Sequence, residues 1–198
     1  MRRRSVLLLS LVVLAGCGGR SDVSAVPEGF TVRTVDDPTL AVALPAGWRS
    51  FGDRAHTNAG QVAGKNRRLR LELQVLAKSN SPVKLVGFDP ASAPRLSTNM
   101  NLLETRVPSA LSFEEMARTE ARQITLASGV QDIRQELTKV PAGRTLHLTY
   151  SPKGRIVLEQ YFVRHDDLLY VLTYSTRLAN AKRDAKVFNV SAHTFEVG

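Results

Sequence analysis

Two segments near the C-terminus, Arg155 to His165 and Leu168 to Ser175, are separated only by Asp166-Asp167. Each is rich in β-branched and aromatic residues, and paired Asp residues favour a turn, so the stretch predicts a β-hairpin. A two-residue turn sets His165 opposite Leu168, Val163 opposite Tyr170 and Tyr161 opposite Leu172. Side chains alternate across a strand. Val157, Tyr161, Val163, Tyr170 and Leu172 therefore share one face, and Ile156, Leu158, Phe162, Leu169 and Val171 share the other. One apolar face could be a membrane- or ligand-facing surface. Two apolar faces call for two layers of cover, so this hairpin is expected at the centre of a sheet with helices on both sides.

Two segments have the pattern of such covers. Ser112 and Glu115 have capping-box spacing, Leu111 and Met116 have hydrophobic-staple spacing, and Glu114 and Glu115 place negative charge where a helix dipole favours it. Phe113, Met116, Ala117, Ala121 and Ile124 form one stripe and Gly129 suits the position after the last turn, giving a helix over about residues 113–127. Ala181, Ala185, Phe188 and Ala192 have helical spacing, giving a second over about 179–191.

The other segments read as strands. Phe30 to Val35 and Leu40 to Leu44 flank the turn signal Asp36-Asp37-Pro38, and Pro45-Ala46-Gly47 stops the second before Trp48. Arg68 to Leu76 shows the cleanest alternation, with Leu69, Leu71, Leu73 and Val75 on one face, and is expected to be a half-exposed strand. Val83 to Phe88 and Met100 to Val107 are further strands around a Pro-rich loop. Val130 to Val140 is another, and Arg144 to Tyr150 joins the central hairpin through Ser151-Pro152-Lys153-Gly154, with His147 across from about Leu158. A short strand at Phe195-Glu196-Val197 closes a single α+β domain over 30–198, long enough for a substantial core.

The segment before that domain is of a different kind. Arg2, Arg3 and Arg4 precede an apolar run from Ser5 to Leu14. The run is shorter than the about 20 residues that span a bilayer and fits a secretory signal peptide. Leu14-Ala15-Gly16-Cys17 resembles the lipobox of bacterial lipoproteins and contains the only cysteine. Cleavage after residue 16 leaves Cys17 to carry acyl chains, residues 17–29 as a polar tether and the domain behind it. Each buried acyl CH₂ contributes about 0.8 kcal/mol, so two or three chains on one residue anchor a domain where a single chain would not. The expected location is the outer face of a bacterial cytoplasmic membrane, or an outer membrane if the source is Gram-negative. Three of the nine net positive charges leave with the signal peptide. The remainder suits attraction to anionic lipid or wall polymer rather than nucleic acid, which an exported lipoprotein would not meet.

Hydrophobic residues at 43% and charged residues at 23% are ordinary for a globular chain and name no activity. His56, His147, His165 and His193 show no metal-ligand spacing, so neither a metal nor a cofactor is implied. Asp36-Asp37 and Asp166-Asp167 read as turn formers. No G-x-S-x-G or S-x-x-K occurs, and the glycines of Gly60 to Arg67 stand too close for a phosphate loop. The densest positive cluster, Lys65, Arg67, Arg68 and Arg70, is a candidate contact for anionic headgroups, worth about 1 kcal/mol per cation near a surface.

Three stretches carry a family resemblance. Leu44-Pro45-Ala46-Gly47-Trp48 matches a strand-ending Pro-x-Gly-Trp, Ser112-Phe113-Glu114-Glu115 matches a helix start, and Glu159-Gln160-Tyr161-Phe162 with Leu169 to Tyr174 matches a last hairpin. In this order they resemble the PsbP-like family, and the layout is similar to LpqN-type envelope lipoproteins of actinobacteria. Residues 77–110 depart from the pattern, being longer and richer in Pro. The resemblance implies an α/β/α sandwich around a central, mainly antiparallel sheet, and a non-enzymatic binding or accessory module for an envelope protein or an amphipathic ligand. A hydrolase of envelope material or a structural spacer are the alternatives.

Overall fold

The computed structural model describes residues 26–35, 40–53, 57–78, 82–92, 98–108 and 110–198. Strands β1 (Phe30–Val35) and β2 (Leu40–Pro45) are followed by β3 (Arg49–Phe51), helices α1 (Ala59–Ala63) and α2 (Arg67–Lys78), and strands β4 (Val83–Phe88) and β5 (Asn99–Arg106). Helix α3 (Phe113–Ser128) leads into β6 (Arg134–Val140), β7 (Gly143–Tyr150), β8 (Ile156–His165) and β9 (Leu168–Arg177). Helix α4 (Ala181–Ala192) and strand β10 (Glu196–Val197) complete the chain. Seven strands form one antiparallel sheet in the order β3-β4-β5-β9-β8-β7-β6, and β1-β2-β10 form a smaller one.

The β8–β9 hairpin is central and has the register its two-residue turn requires: His165 opposite Leu168, Val163 opposite Tyr170, Tyr161 opposite Leu172. Asp166 takes the left-handed φ of 53° at the turn, a conformation Asp tolerates better than most residues. Both faces are covered. On one, Tyr161, Val163, Tyr170 and Leu172 pack with Leu44 of β2 and Phe188 of α4. On the other, Phe162 and Leu169 pack with Leu146 and Leu148 of β7 and with Phe113 and Met116 of α3. The register puts Phe88, Asn99, Ser175 and Leu158 in one row, so α1 and α2, which bury Val62, Leu69 and Leu73 against Phe51 and Phe88, lie on the α3 side. The layers are α1–α3, the seven-stranded sheet, and α4 beside the small sheet: an α/β/α sandwich of the α+β class.

Local chemistry fixes the covers. Ser112 accepts from the Glu115 amide at 3.2 Å while Glu115 accepts from the Ser112 amide at 3.0 Å, and Gly129 ends α3 with a φ of 70°. The opposite layer is held by a chain of bonds. The Tyr174 hydroxyl donates to Ser191 Oγ (2.9 Å), which donates to the Ala43 carbonyl (2.6 Å), and the Ala43 amide donates to Thr194 Oγ1 (2.7 Å). Gly87 lets this layer close in, because a Cβ there would collide with the Leu44 side chain.

Three expectations are corrected. Residues 68–76 form helix α2, not a strand. Leu69 and Leu73, one turn apart, are buried, while Leu71 and Val75 are 53% and 66% exposed. Asn66 Oδ1 accepts from the Leu69 amide at 3.1 Å and Arg68 pairs with Glu72 at 2.9 Å, a one-turn spacing. The apolar alternation contained an i, i+4 pair, and Leu, Arg, Glu and Gln are helix formers that decide between the two periods. The strand expected from Val130 begins only at Arg134. His147 stands opposite Tyr161, and Leu158 opposite Tyr150. The Pro152–Gly154 turn is a wider 3₁₀ connection, held by Ser151 Oγ donating to the Ile156 carbonyl, and it shifts the register by three residues.

Candidate functional site

Two gatherings of polar groups among the described residues differ in their chemistry. The first is the row of His147 and Tyr161 on the α4 side of the sheet. The His147 ring stacks on Tyr161 with centroids 4.2 Å apart, and its Nε2 lies 3.4 Å from Oε2 of the buried Glu159. Thr149 Oγ1 is 3.3 Å from that same Nε2, and the Tyr161 hydroxyl donates to Glu159 at 3.4 Å. Burial, then the Glu159 charge, pushes the Tyr161 hydroxyl well above the usual tyrosine range, so it stays protonated. A hydroxyl–imidazole–carboxylate relay needs a different ring nitrogen for each partner. Here both contacts fall on Nε2, so the cluster pins β7 to β8 rather than activating the Thr149 hydroxyl. His193 caps α4 through Asn189 O at 2.8 Å, His165 lies exposed near Asp166, and His56 lies outside the described residues. Among the described residues no group of three His, Cys, Asp or Glu is placed to hold a metal ion. The Asp166-Asp167 turn is formed, and Asp36-Asp37 lies outside the described residues.

The second place is the corner where α1 meets α2. Lys65, Arg67, Arg68 and Arg70 are all exposed there, on the turn after α1 and the first turn of α2 rather than on a strand face. Arg68 is neutralised by Glu72, and Arg70 Nη2 donates to the Gly64 carbonyl at 2.7 Å. Arg49 of β3 reaches the same turn: its Nη1 donates to the Val62 carbonyl at 3.3 Å and lies close to the open side of Gly64. Beside it is a cavity of about 240 Å³ lined by Arg33, Trp48, Arg49, Ser50, Gln61 and Val62.

Arg33 forms the deep wall of this cavity. Its side chain is 15% exposed, and its Nε is 3.9 Å from Asp53 Oδ2, an oxygen that already accepts from Ser50 Oγ. Its Nη2 reaches the Trp48 carbonyl at 3.5 Å. Trp48 rests edge-on against Phe188 of α4, centroids 6.5 Å apart. A second cavity, about 250 Å³, lies between the end of α2 and the β3–β4 edge, beside Phe51, Ala77 and Val86.

The structure thus adds Arg33, Arg49 and Trp48 to the four cations that sequence density picks out. No local pattern joins them, since Arg33 and Arg49 reach the corner from strands in different sheets. The one hint is that Arg49 follows the only Trp in the chain. Cys17 lies outside the described residues, and among those residues no helix is long and apolar enough to cross a membrane.

No protein-family model and no curated protein sequence matches the chain. Solved structures do. The solution structure of cyanobacterial PsbP (CyanoP) from Synechocystis sp. PCC 6803 superposes with a TM-score of 0.51 at 14% identity, over 93% of this chain and 99% of that one. The Ran-binding protein Mog1p of Saccharomyces cerevisiae gives 0.51 at 10% identity, over 85% and 96%. A point mutant of Mog1 gives 0.53 at 10% identity, over 85% and 95%. At such identities the likeness is one of architecture, and it agrees with the layers described above: the chain has the PsbP-like fold.

Proposed function

We propose that this chain is an envelope-anchored, non-enzymatic binding module. Acyl chains on Cys17 hold it to the outer face of a bacterial membrane, and the domain engages an envelope protein or an amphipathic ligand with its α1–α2 corner toward an anionic surface. The observation that carries this reading is the separation of its charges. The buried carboxylates close on partners within the fold, as Glu159 does on His147 and Tyr161 and Asp184 does on Thr176 and Arg183. The cations at 65, 67 and 70 have no acidic partner among the described residues, and they crowd one corner together with Arg49. Surplus exposed charge of one sign serves attraction to a surface of the other sign. The fold supports the reading too, since the yeast structure that shares it is that of a Ran-binding protein, one that docks on another protein. Radiolabelled palmitate should enter the full chain in a lipoprotein-processing host, and Cys17→Ala should abolish the label and leave the chain uncleaved. Label entering the mutant would remove the anchor from the proposal.

A further inference from the structure

We infer that the cavity between Arg33, Trp48 and Arg49 is a phosphate-binding pocket, taking the phosphoryl group of a phosphate monoester or diester against the two guanidinium groups. This deepens the reading above at the same corner and rests on it only for where the phosphate comes from.

A buried guanidinium is costly unless its charge is matched and its donors are used. Arg33 meets neither condition well. Its one hydrogen bond, to the Trp48 carbonyl, is long at 3.5 Å, and its buried Nε finds no hydrogen-bond partner. Its acid, Asp53, stands at 3.9 Å, the far limit of an ion pair, and already accepts from Ser50. Each guanidinium carries five N–H donors in a planar fork, and Arg49 spends one on the Val62 carbonyl. Among the described residues the cavity is therefore walled by spare donors from two arginines, with the Asp53 carboxylate near Arg33 to set against them and Lys65 and Arg70 close by at Gly64. A phosphoryl group supplies what is missing: several oxygens that accept from both forks, and negative charge in a site with a net positive one. At about 240 Å³ the space holds roughly eight waters' volume, enough for a phosphate and the first atoms of what it is esterified to. Trp48 offers those atoms an apolar wall.

Trp48 is the only tryptophan, so its fluorescence reports this cavity alone. The full chain in non-ionic detergent is titrated at constant ionic strength with glycerol 3-phosphate, with succinate as a second dianion, and in parallel with vesicles of phosphatidylglycerol and of phosphatidylcholine alone. A saturable change with glycerol phosphate, absent with succinate, is expected. Arg49→Gln, at an exposed site, should weaken it about tenfold, the loss of one charge-assisted hydrogen bond. Arg33→Gln should weaken it further if that variant folds, and Arg106→Gln, at the far Asp167 pair, should leave it unchanged.

Saturation by phosphatidylglycerol vesicles as well makes a lipid headgroup the source. Saturation by glycerol phosphate with no response to vesicles keeps the pocket, for a free phosphoryl compound, and removes the membrane-facing corner. A response to phosphatidylglycerol vesicles with none to glycerol phosphate overturns the pocket and leaves the corner as a plain electrostatic surface. An equal response to succinate, or one that Arg49→Gln does not alter, also overturns it.

Discussion

Gly52 and Gly129 both have a left-handed φ, +97° and +70°, but what surrounds them differs. Gly129 ends α3 with nothing within 4 Å of where a Cβ would sit. Gly129→Ala should therefore cost only the conformational term, about 1–2 kcal/mol. At Gly52 an added Cβ would run into the Lys84 carbonyl, a backbone group that cannot swing aside as the end of a side chain can. Gly52→Ala should lose the same term plus an overpacking cost of about 1–3 kcal/mol. Denaturant midpoints compare the two directly, and equal losses would mean that β3 and β4 are not packed as described. Ser112 tests α3 from its other end. Ser112→Ala should cost about 0.5–2 kcal/mol through the lost cap, and should also change how stability responds to acid. The Ser112 side-chain hydrogen bond, then the Ser112 amide, holds the Glu115 carboxyl below its ordinary 4.5. A carboxylate whose pKa is lower in the folded state contributes stability above the unfolded value and loses it as pH falls through the folded one. Below pH 4.5 the native protein should therefore lose stability more steeply than Ser112→Ala does.

At the scale of elements, α2 separates two periods that its sequence leaves superimposed. A strand over 68–76 would bury Leu69, Leu71, Leu73 and Val75 together, whereas the helix buries Leu69 and Leu73 and turns Leu71 and Val75 outward. Leu73→Ala should cost about 2–5 kcal/mol as a core deletion, and Leu71→Ala about 0.5 kcal/mol or less. Similar losses at both positions would restore the strand. The other elements were more legible because several signals agreed on each. The capping box, acidic first turn and terminal glycine all point to α3, and the two-faced apolar pattern with a two-residue turn sets both the register and the central place of β8–β9. The small sheet, α1 and the shifted β7 register were not legible. They depend on long-range packing and on a 3₁₀ connection whose length Ser-Pro-Lys-Gly does not reveal. The centre of the sheet carries its own test. Amides of 158–163 should be among the slowest to exchange, and Phe162→Ala should cost about 3–5 kcal/mol where Arg70→Ala, exposed, costs about 0.5 or less.

For the whole molecule, the proposed anchor would leave the orientation of the domain on a membrane to its charge. The density of cations at 65–70 was legible in the sequence, but the pocket beside them was not, because Arg33, Trp48 and Arg49 meet only once two sheets and α1 are stacked. Pro27 to Gly29 are bonded into the domain, and the nine residues from Gly18 to Val26 reach about 30 Å when fully extended, so an acylated Cys17 would confine the domain near the bilayer without orienting it. Orientation then falls to the asymmetry between the outer layers. Lys65 lies at the α1–α2 corner, while Lys182 and Lys186 are exposed on α4 in the opposite layer. On phosphatidylglycerol vesicles, acetylation of Lys65 in the acylated chain should slow relative to Lys182 and Lys186, and on phosphatidylcholine it should not. Each cation near an anionic surface contributes about 1 kcal/mol, and the attraction decays over about 10 Å at 0.1 M salt. Raising the salt several-fold should therefore return Lys65 to the rate of the other two while the acyl chains keep the protein on the vesicles. Three lysines slowed alike, or a protection of Lys65 that survives high salt, would show that something other than the charge of this corner sets the orientation.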